Sequence, residues 1–260
     1  MITHISLSPL LTSDLQVNRS CSLNSTVCLL RRFDLDQFPS HVSDLKLNAF
    51  RPLMIQQVLD QAGAVVWLDL NMVVWGADSA ARFKTAVAAA AGPGVYAWTV
   101  EQPTSALTHP GMFPFFQTDK QNFFFHRMVD PACLILFNTR HVHDRLMLPW
   151  IRCALLAECI TPIGAQSSGC RFDKKPLYRY SGCHFYDMSA LNVVLGLMFD
   201  FEVKDYAGTD ADRFATKYDS DSITSDADGV SRDYELEKRN TSSPGTKLSF
   251  NRSGWRISSQ

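Results

Sequence analysis

Asp69 and Asn71 are the first residues in this sequence whose position suggests chemistry. They interrupt an otherwise apolar run, Gly63-Ala-Val-Val-Trp-Leu-Asp-Leu-Asn-Met-Val-Val74. Such a run predicts a strand buried on both faces, as in a parallel sheet. Because a buried lone carboxylate is costly, we expect Asp69 where the strand reaches the surface, at the end where α/β sheets bind ligands. A simple hydrogen bond at the strand end is the competing interpretation.

The elements around this run alternate between helix and strand. Pro52 and Gly63 bound the first helix, and Asp78 and Ser79 cap the second. In order, the predicted elements are helix 53–62, strand 64–70, helix 80–91, and strands 95–99 and 132–137. This rhythm predicts an α/β fold with a parallel or mixed sheet flanked by helices.

The second half of the chain predicts two further helices. Pro149 opens a largely buried helix over 150–160, which Pro162 ends. Another helix runs from Met188, with Asp187 at its start. Its apolar face is formed by Leu191, Val194, Leu195 and Met198.

Two dense aromatic clusters, 112–116 and 123–125, lie between these halves. They fit either core packing beneath a loop or a platform on which a sugar stacks.

Composition limits the function classes. The 260 residues carry a formal net charge of −1, which points to neither a nucleic acid nor a membrane surface as partner. No apolar run is long enough to span a bilayer, and the first residues lack the pattern of a signal peptide. We therefore expect a globular domain, followed after residue 206 by a disordered polar tail over 207–260 that is poor in aliphatic side chains.

Cysteines and glycosylation sequons favour the secretory lumen, with the targeting segment absent from this chain. Four sequons begin at Asn18, Asn24, Asn240 and Asn251. Seven cysteines are present, without the spacing of a zinc site.

The cysteines fit either disulfides or buried free thiols. Cys21 and Cys28 bracket a loop that a disulfide could close. Cys153 and Cys159, six residues apart in one predicted helix, are awkward partners, so we expect each to pair with Cys170 or Cys183.

Several blocks, in order, resemble one uncharacterised metazoan family related to GT-A nucleotide-diphospho-sugar transferases. The first blocks are Leu30-Arg-Arg-Phe-Asp34, Phe38-Pro-Ser-His-Val-Ser-Asp-Leu45, Phe50-Arg-Pro-Leu-Met-Ile55 and Val66-Trp-Leu-Asp69. The later blocks are Pro149-Trp-Ile-Arg-Cys-Ala-Leu155, Cys159-Ile-Thr-Pro-Ile-Gly164 and Cys183-His-Phe-Tyr-Asp-Met-Ser-Ala-Leu-Asn192. The resemblance covers roughly residues 5–205, and the last block is the most specific.

The resemblance implies a GT-A-like (Rossmann-like) mixed sheet that binds a nucleotide-sugar donor with Mn²⁺ or Mg²⁺ and transfers the sugar to a glycan or protein acceptor. Asp69 and Asn71 stand where such enzymes hold the metal against the diphosphate. Asn71 replaces a second aspartate and is the weaker ligand, because it carries no charge.

The resemblance also assigns roles to three other residues. Asp187 matches a catalytic carboxylate that accepts the acceptor hydroxyl proton or orients the donor sugar, while a helix N-cap is the structural alternative. Arg51 is placed to bind a phosphate, or else forms a surface salt bridge. His184 is a cofactor ligand or a packed structural histidine.

One departure from the family concerns the start of the chain. His4-Ile-Ser-Leu-Ser-Pro9 matches the segment after the second strand, so we expect the first βα unit and any anchor to be missing. Two functions stay open: a glycosyltransferase-like enzyme, and a catalytically inactive GT-A-like lumenal binding or scaffold protein. A cytosolic Rossmann enzyme is disfavoured because no glycine-rich phosphate-binding motif follows a strand.

Overall fold

The computed structural model describes residues 2–6, 28–74, 76–173, 175–217, 247–251 and 254–258. The chain divides into two compact units, Met1–Thr216 and Lys217–Gln260. In the second unit, β9 (Lys247–Asn251) and β10 (Gly254–Ser258) pair antiparallel. No helix in the described part of the chain has both the length and the apolar character that crossing a bilayer requires.

A four-stranded mixed sheet organises the first unit, as the alternation of elements predicted. It contains β3 (Ala64–Leu68), β6 (Arg127–Phe137), β5 (Val95–Pro103) and β7 (Ala207–Gly208), in that order. β6 runs antiparallel to both β3 and β5, whereas β7 is parallel to β5. Two smaller sheets pair β1 (Ile2–Ser6) with β2 (Cys28–Arg32), and β4 (Met72–Val73) with β8 (Thr216–Lys217).

The strand after Gly63 is an edge strand, so its predicted burial on both faces is wrong. β3 lies at one end of the sheet order, and Val66 is 39% exposed. The strand with two covered faces is β6, which is buried at every position from Met128 to Leu136. A short apolar run does not distinguish these positions, because an edge strand also packs one face on the core.

Helices cover both faces of this sheet. Their bounds are α1 (Phe50–Leu59), α2 (Ser79–Ala90), α3 (Thr104–Leu107), α4 (Arg140–Val142), α5 (Leu148–Ala154), α6 (Ala157–Ile160) and α7 (Tyr186–Met198), with a π-helical turn over His143–Met147. Leu134 and Leu136 of β6 pack in the same core as α1, α5 and α7, while Cys133 and Ile135 pack with α2. This alternation follows the two-residue period of a strand and gives the α/β layering.

The aromatic clusters are divided between core and surface. Met112, Phe113 and Phe123 are fully buried, as the packing interpretation predicted. Phe115 is 39% exposed and Phe125 is 87% exposed, so both clusters also present rings to solvent.

The first unit extends ten residues beyond the boundary expected at residue 206. Arg213, Phe214 and Ala215 are buried, and the ring of Phe214 packs edge-on against Trp98 at 5.3 Å between centroids. The composition of 207–217 is polar, yet the ring of Phe214 and an ion pair from the buried Arg213 to Asp130 hold this stretch in the first unit. Residues 218–246 of the predicted tail lie outside the described residues.

Within the described residues, disulfides join Cys153 to Cys159 and Cys170 to Cys183, so the predicted cross-pairing is wrong. The predicted single helix over 150–160 is instead two helices, and Leu156 between them is extended (φ −111°, ψ 114°). This break folds the chain back and brings the Cα atoms of Cys153 and Cys159 to 5.1 Å. Cys133 is a buried free thiol, and burial raises its pKa to about 12. Cys21 of the predicted Cys21–Cys28 ring lies outside the described residues, so that pairing is not described.

Removing each disulfide should lower the free energy of unfolding by an amount that depends on loop length. Loops of 6 and 13 residues give about 2 kcal/mol for Cys153→Ser/Cys159→Ser and about 3 kcal/mol for Cys170→Ser/Cys183→Ser. Denaturant unfolding measures both values, and Cys133→Ala controls for the loss of a cysteine outside these disulfides. Peptide mapping under non-reducing conditions that showed a 153–170 or 159–183 link would contradict the pairing.

Candidate functional site

Arg51 is a buried arginine in the first turn of α1. The helix packs most of its residues into the core, and Arg51 itself is 4% exposed. A charged side chain that is buried needs partners for its guanidinium donors.

Asp69 supplies the first set of partners. It follows β3 directly, where its N–H donates to the Ala132 carbonyl (2.9 Å) and its own carbonyl accepts from the Met72 N–H (2.9 Å). Arg51 binds its carboxylate through two donors, Nε to Oδ1 at 3.3 Å and Nη2 to Oδ2 at 2.8 Å. Trp67 Nε1 also donates to Oδ1, at 2.7 Å.

Asp187 is the second partner, in the first turn of α7. Its carboxylate accepts from Nη1 of Arg51, and the residue is only 1% exposed. Nε1 of Trp150 donates to its backbone carbonyl at 3.1 Å. Because Phe185 occupies the N-cap position, the alternative prediction that Asp187 caps the helix is wrong.

Arg51, Asp69 and Asp187 therefore form a triad with two carboxylates for one guanidinium. Burial raises the pKa of Asp187 to about 7, against the lowering effect of Arg51, and the Asp69 carboxylate adds to the rise. For Arg51 burial lowers the pKa, but Asp187 and Asp69 together outweigh burial and raise it. Arg51 thus stays charged, while Asp187 is the group in the triad that can carry a proton near neutrality.

His184 and Asn71 are placed differently from the triad. His184 is fully buried, with Nδ1 accepting from the His109 N–H (3.1 Å) and Nε2 bonded to the Ile160 carbonyl (3.0 Å). Burial lowers its pKa to about 4, so it is a neutral link between two backbone segments. Asn71 is exposed in the turn after Asp69.

The arrangement around Asp69 does not fit a divalent cation. Mn²⁺ and Mg²⁺ need several oxygen ligands with free lone pairs directed at the ion. Both carboxylate oxygens of Asp69 already accept from Arg51, and Oδ1 also accepts from Trp67. Within the described ranges, no group of three or more His, Cys, Asp or Glu side chains could hold a metal.

Two tryptophans outside the predicted site residues contribute to the site. Trp67 lies two residues before Asp69, and the two-residue period of a strand would have indicated a shared face. Trp150 is 37 residues from Asp187, and no local pattern indicates its hydrogen bond.

Comparison with known proteins adds no relative: family models, curated proteins and solved structures were searched, and nothing matches.

Replacing Asp187 with Asn should change how stability depends on pH. The folded pKa of about 7 lies above the ordinary unfolded value of about 4, so the folded state holds a proton that the unfolded state has lost. The contribution of Asp187 to the free energy of unfolding is therefore complete below about pH 4, and it is lost as the pH rises through 7. The stability advantage of the wild type over Asp187→Asn should therefore shrink from pH 4 to 7, by at most about 1.4 kcal/mol per pH unit.

Urea unfolding of both proteins across this range measures the difference. His184 and His126 have pKa values lowered to about 4, so their contribution is lost as the pH falls below about 6.5. This opposite pH dependence is the same in the wild type and in Asp187→Asn, so it cancels in the difference between their free energies of unfolding. Asp119→Asn, at an exposed position, is the matched control. A constant difference between wild type and Asp187→Asn would contradict the raised pKa.

Proposed function

We propose that this chain is a glycosyltransferase-like binding or scaffold domain that does not carry out metal-dependent sugar transfer. One observation carries the proposal: Arg51 engages the carboxylates of both Asp69 and Asp187, the two groups to which the resemblance assigns metal binding and catalysis. A general base must reach the proton it accepts, and Asp187 is 1% exposed and bonded to Arg51.

The compartment proposed for this domain is the secretory lumen or the extracellular space. The two disulfides in the described part of the chain are typical of proteins that fold in an oxidising environment. The sequence adds four sequons, whose use requires the same compartment.

A second candidate is an active transferase that takes a nucleotide-sugar donor and a glycan or protein acceptor. It is favoured by the pKa of about 7 at Asp187, which suits a group that exchanges a proton near neutrality. The Asp69 side chain is 25% exposed, so it borders solvent. Activity would require Arg51 to release both carboxylates.

Nucleoside diphosphate release separates the two candidates. The full chain is incubated with uridine and guanosine diphospho-sugars, with and without Mn²⁺, and release of the diphosphate is measured. We expect no Mn²⁺-dependent release, because the oxygens of Asp69 are occupied. Release that requires Mn²⁺, is lost in Asp69→Asn and is retained in Asp119→Asn would establish the transferase and overturn the proposal.

A further inference from the structure

A groove of about 490 Å³ lies between the end of the aromatic segment, the π-helical turn with α5, and the C-terminal half of α7. Its lining residues are Phe115, Phe116, Gln117, Asp144, Arg145, Pro149, Arg152, Val194, Leu197 and Met198. This volume is within the range of small-molecule sites. None of these residues belongs to the Arg51 triad.

Part of the groove lining is apolar. Val194, Leu197 and Met198 of α7, called the apolar floor below, belong to it, as does Phe115 with 39% of its surface exposed. Phe115 is held edge-on by Phe116, with 5.2 Å between centroids and 83° between planes. An exposed ring fixed by a second ring offers a flat face at low entropic cost.

The lining also includes two exposed arginines, Arg145 and Arg152. The nearby carboxylate of Asp144 is engaged by Arg140 at 3.3 Å. In the described part of the chain, neither Arg145 nor Arg152 takes part in an ion pair. Both guanidiniums therefore have donors available for an external anion, which they can bind in a bidentate manner.

Two residues that line the groove have unusual backbone geometry. Arg145 lies in the π-helical turn His143–Met147, a form that is rare and frequent at functional sites. Gln117, beside Phe115, has a φ of +54°, which is uncommon for a residue other than glycine. Both features lie at the groove.

We propose that this groove binds an acidic saccharide, such as a sulfated or uronic-acid-containing glycan. The C–H face of a sugar ring stacks on Phe115 and the apolar floor, and its sulfate or carboxylate groups pair with Arg145 and Arg152. A ligand that was only anionic would leave the apolar floor unused. A neutral sugar would leave two guanidiniums unpaired.

The site is independent of the triad. Val194 lies seven residues after Asp187 in α7, about 10 Å along the helix axis. Saccharide binding in the groove is therefore possible whether or not Asp69 and Asp187 support sugar transfer. Equally, a groove that binds no saccharide would say nothing about the triad.

Calorimetry of the full chain with a heparin-derived tetrasaccharide tests the proposal. We expect binding that weakens as salt rises, because the contacts are between charges near the surface. Arg145→Gln/Arg152→Gln should weaken binding at least about tenfold, since it removes charge-assisted hydrogen bonds. Phe115→Ala should weaken it several-fold. The matched controls, Arg127→Gln/Arg179→Gln and Phe125→Ala, change exposed residues outside the groove and should leave affinity unchanged.

Any of the following results would overturn the assignment. The first is that the tetrasaccharide does not bind, or that the groove variants and the control variants lose affinity equally. The second is equal affinity for maltotetraose, which carries no charge. The third is equal affinity for a hexaglutamate peptide, which would show that charge alone is recognised. Circular dichroism of each variant excludes misfolding, and the changed side chains are exposed or half-exposed.

Discussion

The buried cation Arg51 is a central constraint on the first unit. Arg51 joins three segments that are distant in sequence: α1, the turn after β3, and the start of α7. Charges removed from water are costly, and their attraction repays that cost only when the geometry is good and the remaining donors are bonded. Five hydrogen bonds meet this condition here. Three are donated by Arg51 to the two carboxylates, and Trp67 and Trp150 each donate one more to Asp69 and Asp187. The arrangement fixes where α7 begins relative to the sheet.

The same interaction constrains function. A carboxylate that accepts two guanidinium bonds and an indole bond is a poor metal ligand. A carboxyl that is 1% exposed is a poor partner for a substrate hydroxyl, whatever its pKa. The groove over the other end of α7 has the opposite character, with an exposed ring and two arginines whose donors face solvent. The start of α7 thus has a structural role in the triad, and its C-terminal half has the binding role that we propose for the groove.

Sequence patterns predicted part of this arrangement. Polar residues next to apolar runs stand out, and this pattern or the resemblance points to Arg51, Asp69 and Asp187. Their mutual pairing was not predicted, because Arg51 and Asp187 are 136 residues apart and no local period links them. The mixed α/β sheet followed from alternating elements. The place of β3 at the edge did not, because strand order is set by pairing partners that local composition does not encode.

The disulfide pairing and the end of the first unit both differ from what composition predicts. One helix break at Leu156 reversed the expected disulfide pairing, although 150–160 has helical periodicity throughout. Phe214 and the buried Arg213 hold a polar stretch for which composition predicts a disordered tail. In both cases one or two residues outweigh the average character of the segment.

A double-mutant cycle on Arg51 and Asp187 tests the central claim most directly. Arg51→Met leaves two carboxylates without their buried cation, so it should lower the free energy of unfolding by about 3–5 kcal/mol. Asp187→Asn in the same background should restore at least about 1 kcal/mol, because the pair is coupled. Arg140→Met, which breaks an exposed pair, should change stability by less than about 1 kcal/mol. If Arg51→Met fails to fold and the double variant folds, the account holds. Additive effects, or an Arg51→Met variant as stable as the wild type, would contradict it.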